Sequence, residues 1–180
     1  MTLKLLAISG SLRAVSSNTS LLRAAQALAP NGAAIEFNGG LGALPHFNPD
    51  LDRDPLPAAV VDLRARINAA DGLLISSPEY ARGVAGVMKN ALDWMVSDVD
   101  FAGKPVALFN ASPRATHALA ALRLTLETMA APVVDEASIT VPLLTAPLDA
   151  HGVAADPALA QMVRGALAAF VDAIEARTRV

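Results

Sequence analysis

Cysteine is absent from this chain of 180 residues, and aromatic residues make up only 4% of it. The absence of cysteine excludes disulfides, thiol nucleophiles and cysteine metal sites. The three histidines are His46, His117 and His151, and none pairs with another at zinc-site spacing. Asp50, Asp52 and Asp54 resemble the start of a calcium-binding loop, but Pro55 stands where that loop needs glycine. The sequence therefore predicts no metal site.

Charge is also scarce, with 17% charged residues, a net charge of −3 and a pI near 5.5. This balance argues against a nucleic-acid partner, which would need a basic face. The mean hydropathy is +0.42, but the strongly apolar runs fall short of the ~20 residues of a membrane-spanning helix. The apolar run at residues 5–8 is too short for a signal peptide. We therefore expect a cytoplasmic protein without a membrane partner.

Two hydrophobic periods alternate along the chain. Short apolar runs predict strands at 3–8, 33–37, 72–77, 105–111 and within 132–141. Helical periodicity predicts helices at 18–28, 60–70, 84–95, 115–129 and 157–177. Strands that are apolar on both faces and separated by helices imply a parallel sheet covered on both sides. The prediction is one doubly wound α/β domain over 1–180, with ligands at the carboxyl ends of the strands.

The loop after the first predicted strand is a candidate phosphate site, because it combines hydroxyls, an amide and a cation before a helix start. These side chains are Ser11, Arg13, Ser16, Ser17, Asn18 and Thr19. Leu12 stands where a dinucleotide fingerprint needs its second glycine, and the GK[ST] ending of a P-loop is missing. A single phosphate on a mononucleotide fits, and so does a plain cluster of helix-capping residues.

The loop after the third strand carries Pro78, Glu79 and the sole tyrosine, Tyr80. Tyr80 could lie along a flat ring or pack on its own helix. Trp94 falls beside the apolar stripe of the helix at 84–95, which favours the core or a subunit interface over a ligand contact. The nucleophile-elbow pattern G-x-S-x-G does not occur, so nothing indicates a serine hydrolase.

Three motifs together resemble the NADPH-dependent FMN reductase family. They are GSLR-x-x-S-x-N at 10–18, PEY at 78–80 and KNALDW at 89–94, and the resemblance extends from residue 3 to about residue 129. The family includes quinone, chromate and azo-dye reductases. The resemblance implies a flavodoxin-like three-layer sandwich whose five-stranded parallel sheet has the order 2-1-3-4-5, with helices on both faces.

The resemblance also implies noncovalent FMN. Its phosphate would lie on Ser11, Arg13, Ser16 and Asn18, with Ser17 and Thr19 as further candidates, and its ring edge on Pro78, Glu79 and Tyr80. Family members commonly carry asparagine, serine and proline where this chain has Ala81, Gly83 and Ala85. The segment with His46 and Phe47 resembles the family loop after strand 2, where either residue could contact substrate or serve only the loop.

The loop after the fourth strand departs from the usual glycine-rich family loop. Ser112 matches the family serine, but Pro113 and Arg114 replace glycines. From its charge, Arg114 is a candidate to stabilise reduced flavin, to meet the phosphate of NADPH, or to remain a solvated arginine.

The expected function is an FMN-dependent NAD(P)H oxidoreductase that passes electrons to a quinone, an azo compound, a metal oxyanion or free flavin. FMN would supply the chemistry, so no catalytic side chain is predicted. The alternatives are a flavodoxin-like electron carrier without NAD(P)H turnover and a flavin-sensing regulator. Family members are usually homodimers or homotetramers, and the same is expected here.

Overall fold

The computed structural model describes residues 2–143 and 148–178. Within that part of the chain, the main sheet has five parallel strands in the order β2-β1-β3-β4-β5, as the resemblance predicts. The strands are β1 (Leu3–Ser9), β2 (Ala33–Asn38), β3 (Gly72–Ser76), β4 (Val106–Asn110) and the short β5 (Ile139–Thr140).

Helices cover both faces of this sheet. They are α1 (Ser17–Ala27), α2 (Ala58–Ala69), α3 (Gly86–Asp93), α4 (Thr116–Thr128), α5 (Ala150–Ala155) and α6 (Pro157–Thr178). Side chains alternate across a strand, so Leu5 and Ala7 of β1 join the core that contains α1, α5 and α6. Leu6 and Ile8 join the opposite core, with α2, α3 and α4. This double burial explains why the strands are continuous apolar runs.

The sequence prediction differs from the structure between β3 and α3. The helix predicted to start at Val84 begins at Gly86, because Val84 belongs to a two-strand hairpin. In this hairpin, Glu79–Tyr80 pairs antiparallel with Gly83–Val84. Val84 lies three residues before Val87 and so fits the apolar spacing of a helix, but it belongs to a strand, and its side chain packs against the same core as α3.

Two further differences lie in the last part of the chain. The short helix α5, where no helix was predicted, contains His151 with its side chain exposed. Residues Pro157–Arg177 of α6 are long and apolar enough to pass the length and composition test for a membrane span, contrary to the prediction. A core helix passes the same test, and Val163, Leu167 and Phe170 of α6 are buried against the sheet.

The carboxyl ends of β1, β3 and β4 lie side by side at one edge of the sheet. Ser9 of β1 pairs with Ser76 of β3. One residue earlier on β3, Ile75 pairs with Leu108 of β4. The loops that follow these three strands therefore meet, which is the arrangement that binds ligands in open α/β sheets.

Candidate functional site

The loop after β1 leads directly into the amino end of α1. Ser16 is the N-cap, and its Oγ accepts a hydrogen bond from the Thr19 N–H at 3.3 Å. The N–H groups of Ser17 and Asn18 at this helix start have no partner among the described residues. A helix start with free N–H groups attracts an anion.

Gly10 lets the loops after β1 and β3 approach each other closely. A Cβ added at Gly10 would lie 2.6 Å from Ser77 Oγ and 3.2 Å from Met88 Cβ. The Gly10 N–H also donates to the Ser76 carbonyl oxygen at 2.8 Å. The glycine of the GSLR motif is thus required by the space between two loops.

Three hydroxyls lie beneath the loop after β1 and form what we call the hydroxyl layer: Ser9, Thr19 and Ser76. Ser9 and Thr19 hydroxyls are hydrogen-bonded at 2.9 Å, and Ser9 Oγ accepts from the Ser11 N–H at 3.2 Å. The Ser76 O–H donates to Asn18 Oδ1 at 2.8 Å. The layer therefore connects the loop to the ends of both β1 and β3.

The hairpin after β3 has a turn of two residues with positive φ, Ala81 at 50° and Arg82 at 58°. This is the backbone of a type I′ turn, which usually takes asparagine and glycine. Glu79 joins the hairpin to α4, because its Oε2 accepts a hydrogen bond from the Ala118 N–H at 2.9 Å. The carboxylate thus caps α4 through Oε2.

The loop after β4 is held by the buried side chain of Asn110. Asn110 Nδ2 donates to the Ser112 carbonyl oxygen at 2.7 Å, and its Oδ1 accepts from the Ser112 N–H at 3.2 Å. Ser112 Oγ in turn accepts from the Arg114 N–H at 3.2 Å. These bonds fix the loop without the glycines of the family pattern.

The three loops enclose an open cleft of about 310 Å³, which we call the loop cleft. It is lined by Ser11, Arg13, Ser16, Ser17, Asn18, Ser77, Pro78, Glu79, Tyr80, Asn110, Ala111, Ser112, Arg114 and Ala115. Of the residues predicted to hold the cofactor, all except Thr19 line it. Thr19 lies behind the loop in the hydroxyl layer. Sequence reasoning missed Ser77 and Asn110, although a polar residue at the end of an apolar strand was a usable signal.

Four polar side chains of the loop cleft keep donor hydrogens that the protein does not use. Ser11 Oγ accepts from the Arg13 N–H at 3.4 Å, and Ser16 and Ser112 accept from backbone N–H groups as described. These three hydroxyls therefore keep their hydrogens for a ligand, whereas the Ser77 O–H donates to the Pro78 carbonyl oxygen at 3.4 Å. Asn18 is bonded through its oxygen, which leaves its Nδ2 hydrogens. The cleft is thus prepared for a ligand rich in acceptor atoms.

The charged side chains of the loop cleft also favour a ligand with acceptor atoms. The guanidinium groups of Arg13 and Arg114 have no carboxylate within 4 Å among residues 2–143 and 148–178. The carboxylate that lines the cleft, Glu79, is bonded to α4. A site with two unpaired cations in an acidic chain favours an anionic ligand.

Neither His46 nor Phe47 lines the loop cleft. Phe47 packs edge-on against Trp94, with ring centroids 5.1 Å apart. Trp94 is fully buried, so it belongs to the core, one of the two places predicted for it. Asn90 holds the same segment, because its Oδ1 accepts from the Phe47 N–H at 2.7 Å and its Nδ2 donates to the Pro45 carbonyl oxygen at 3.0 Å.

Asp52, next to this segment, is anchored to α2. Arg64 Nη2 lies 2.9 Å from Asp52 Oδ1 and 2.6 Å from the Trp94 carbonyl oxygen. A hydrogen bond with Ser97 and the Arg64 guanidinium hold the pKa of Asp52 below its ordinary value of 3.8, against partial burial, which raises it. Asp52 is therefore a structural ion-pair partner.

Known proteins resemble this chain in both sequence and fold. The family described as NADPH-dependent FMN reductase matches residues 3–145. An NAD(P)H-dependent FMN reductase of Pseudomonas aeruginosa is 43% identical over 112 residues, 61% of this chain and 60% of the relative. A 2-hydroxy-1,4-benzoquinone reductase of a Burkholderia species is 40% identical over 115 residues, 62% of each chain. The chain thus spans about three fifths of the length of these curated relatives.

A solved structure resembles the whole described fold. The flavoenzyme NAD(P)H:(acceptor) oxidoreductase of Paracoccus denitrificans has a TM-score of 0.80 and 32% identity, over 97% of this chain and 98% of that one. These relatives are named as reductases, so the comparisons do not favour the electron-carrier alternative. Because the family match covers most of the chain and includes all three loops of the cleft, the protein belongs to the NADPH-dependent FMN reductase family.

Proposed function

We propose that the protein is an FMN-dependent NAD(P)H oxidoreductase whose loop cleft binds FMN and then, in turn, NAD(P)H and an electron acceptor. The observation that carries this proposal is the polarity of the cleft, where four polar side chains present hydrogens and the guanidinium groups of Arg13 and Arg114 form no ion pair with any described residue. FMN matches this polarity, because it has a phosphate at one end and ring carbonyl oxygens at the other.

The loop after β1 suits the phosphate. Ser11, Arg13, Ser16 and Asn18 would donate to its oxygens, together with the free N–H groups at the start of α1. Ser17 lies at the same helix start and can add its hydroxyl. A guanidinium beside a helix amino end is a strong combination for a phosphate dianion. Thr19 would not contact the phosphate, but it would support the loop through the hydrogen bond between its hydroxyl and that of Ser9.

The loops after β3 and β4 suit the ring. Pro78 and Glu79 would contribute main-chain groups, since the Glu79 carboxylate is used by α4. Tyr80 is 53% exposed at the rim and has a flat surface to cover the ring. Ser112 and Arg114 would donate to ring carbonyl oxygens or to an anionic group of the second substrate.

Bound FMN would supply two-electron chemistry: a hydride from NAD(P)H and one proton from solvent would reduce it, and two electrons with two protons would then pass to a quinone. The protein then needs to bind, orient and partly shield the reacting groups. This fits a cleft with donors, a tyrosine and no nucleophile activated by a base. The Burkholderia relative is named for reducing a hydroxyquinone, which supports a quinone as acceptor. Azo compounds, metal oxyanions and free flavin are further acceptors to test.

The steady-state oxidation of NADPH and of NADH tests this proposal. Protein, FMN and 1,4-benzoquinone are combined, and each is omitted in turn. Without oxygen, and with FMN at the concentration of the protein, we expect sustained nucleotide oxidation only when all are present. Turnover that continues unchanged without FMN, or the absence of turnover with both nucleotides, would contradict the proposal.

The remaining expectations belong to the same proposal. We infer one FMN-binding domain over 1–180, a cytoplasmic location, and no nucleic-acid or membrane partner. A homodimer or homotetramer is supported by exposed apolar side chains near the residues that Arg64 bonds: Leu51 beside Asp52, Val96 beside Ser97 and Val99 beside Asp98. Exposed apolar groups clustered in this way are typical of subunit contacts. Sedimentation analysis at several protein concentrations tests the oligomer.

A further inference from the structure

Ser76 lies at the carboxyl end of β3, opposite Ser9 of β1, and only 1% of it is exposed. It does not line the loop cleft. Its O–H donates a hydrogen bond of 2.8 Å to Asn18 Oδ1. Asn18 is 58 residues away in the sequence and does line the cleft. A buried hydroxyl outside the site thus holds a side chain inside it.

In the structure, this bond engages the oxygen end of the Asn18 amide and leaves the nitrogen end free. An asparagine amide has an acceptor oxygen and a donor nitrogen of similar size, and it can present either one after a half-turn. Ser76 engages the oxygen, and no other residue in the described part of the chain bonds the nitrogen. The two Nδ2 hydrogens therefore remain for a ligand, beside the hydroxyls of Ser16 and Ser17.

We propose that Ser76 is a positioning residue that sets the loop cleft to bind a phosphate ester rather than an uncharged analogue, by fixing the Asn18 amide with its donor end outward. The proposal rests on the proposed function, in which this loop binds the FMN phosphate. It concerns a residue in none of the three recognised motifs, and it makes phosphate selectivity depend on a contact between β3 and α1.

Removing the Ser76 hydroxyl should destabilise the complex with a phosphate ester more than it destabilises the ligand-free protein. In Ser76→Ala, binding a phosphate through Nδ2 would leave Asn18 Oδ1 without its donor in a half-buried position. In the ligand-free protein the amide can turn its oxygen to water and avoid this cost. An unsatisfied buried acceptor of this kind lowers affinity by about tenfold. Riboflavin, which lacks the phosphate, does not need the Asn18 donor.

Isothermal titration of flavin-free protein with FMN and with riboflavin measures this selectivity. We expect Ser76→Ala to bind FMN about tenfold more weakly and riboflavin within twofold of the wild type. Ser76→Cys keeps a weak donor of similar size, so its FMN loss should be about threefold. Ser138→Ala is the matched control, because that partly buried hydroxyl bonds the Leu108 N–H and the Val134 carbonyl oxygen away from the cleft. It should leave both affinities unchanged.

A double-mutant cycle separates positioning from a general loss of structure. In an Asn18→Ala background, adding Ser76→Ala should change FMN affinity by less than about twofold, because no amide remains to be held. An undiminished effect in that background would overturn the proposal, and so would equal losses for FMN and riboflavin. If wild-type protein bound the two flavins equally, the phosphate placement of the proposed function would itself be wrong. If the wild type preferred FMN and Ser76→Ala retained that preference, only the role of Ser76 would fall.

Discussion

The indole N–H of Trp94 donates a hydrogen bond of 2.8 Å to the carbonyl oxygen of Pro45. Asn90, one turn earlier on α3, bonds the same carbonyl and also the Phe47 N–H. The asparagine and the tryptophan of the KNALDW motif thus hold the 44–48 segment to α3. Their positions in the motif follow from a structural contact, and neither residue lines the loop cleft.

Asn90→Ala should therefore destabilise the protein. It removes the acceptor of the Phe47 N–H and one donor to Pro45, which costs about 1–3 kcal/mol of unfolding free energy. Urea denaturation measures the loss, and hydrogen exchange at the Phe47 amide should become faster. Lys89→Ala is the control, because its exposed ion pair with Asp93 contributes less than about 1 kcal/mol. Equal losses in the two variants would contradict the role of Asn90.

The hydrogen bond of Asp52 with Ser97 and its ion pair with Arg64 give a pH dependence of known sign. The pKa of Asp52 is lowered in the folded protein from its ordinary value of 3.8, so the folded state holds fewer protons than the unfolded state in that range. The stabilisation that the Asp52 carboxylate contributes is fully present well above pH 3.8, and it is lost as the pH falls through the lowered pKa of Asp52. Unfolding free energies measured from pH 6 downward should show this loss in the wild type, while Asp52→Asn loses that component.

Asp62→Asn provides the comparison for that series, because Asp62 is exposed on the same helix that carries Arg64. It should retain the acid-dependent loss of the wild type. A curve for Asp52→Asn that fell in parallel with the wild type would show that the contacts of Asp52 with Ser97 and Arg64 do not cause the acid-dependent loss.

The hairpin turn at Ala81 and Arg82 places two non-glycine residues at positive φ. Each pays a steric cost of about 1–2 kcal/mol that glycine avoids, although glycine loses more backbone entropy on folding. Ala81→Gly should therefore raise the unfolding free energy by about 0.5–1 kcal/mol. Ala120→Gly, at an exposed helical position of α4, should lower it by about 1 kcal/mol. Chemical denaturation should give opposite signs, and the same sign for both would contradict the turn geometry.

Arg13 should carry a large part of the phosphate affinity. Arg13→Gln removes the cation beside the start of α1 and should weaken FMN binding by about 10- to 100-fold, with riboflavin binding nearly unchanged. Arg164→Gln changes the net charge equally, and Arg164 is exposed on α6 with no ion pair in the described part of the chain. Equal FMN losses in the two variants would point to overall charge as the cause.

The sheet and its order could be predicted because the signals are local or carried by family motifs. Runs such as Leu5 to Ile8 are apolar on both sides, and the loop from Ser11 to Asn18 combines hydroxyls and a cation before a helix. The hairpin could not be predicted in this way. Its strands have two residues each, and Ala81-Arg82 is not a usual turn pair.

The contacts that tune the site are not visible in the sequence. Ser76 meets Asn18, and Glu79 meets Ala118, only because parallel strands bring distant loops to one edge. Thr19 was predicted beside the ligand, since a helix start offers its first turn to an anion, but its hydroxyl turns inward to Ser9. Asn110 reads as part of an apolar strand, and its role in holding Ser112 depends on the loop conformation.

The most direct test of the proposed function is an anaerobic titration of FMN-loaded protein with NADPH, followed by visible absorbance. We predict prompt loss of the flavin band at about one equivalent of nucleotide, and its return when 1,4-benzoquinone is added. A flavin band that persisted with both NADPH and NADH would contradict the account, because the cleft would then hold a flavin that the nucleotides do not reduce.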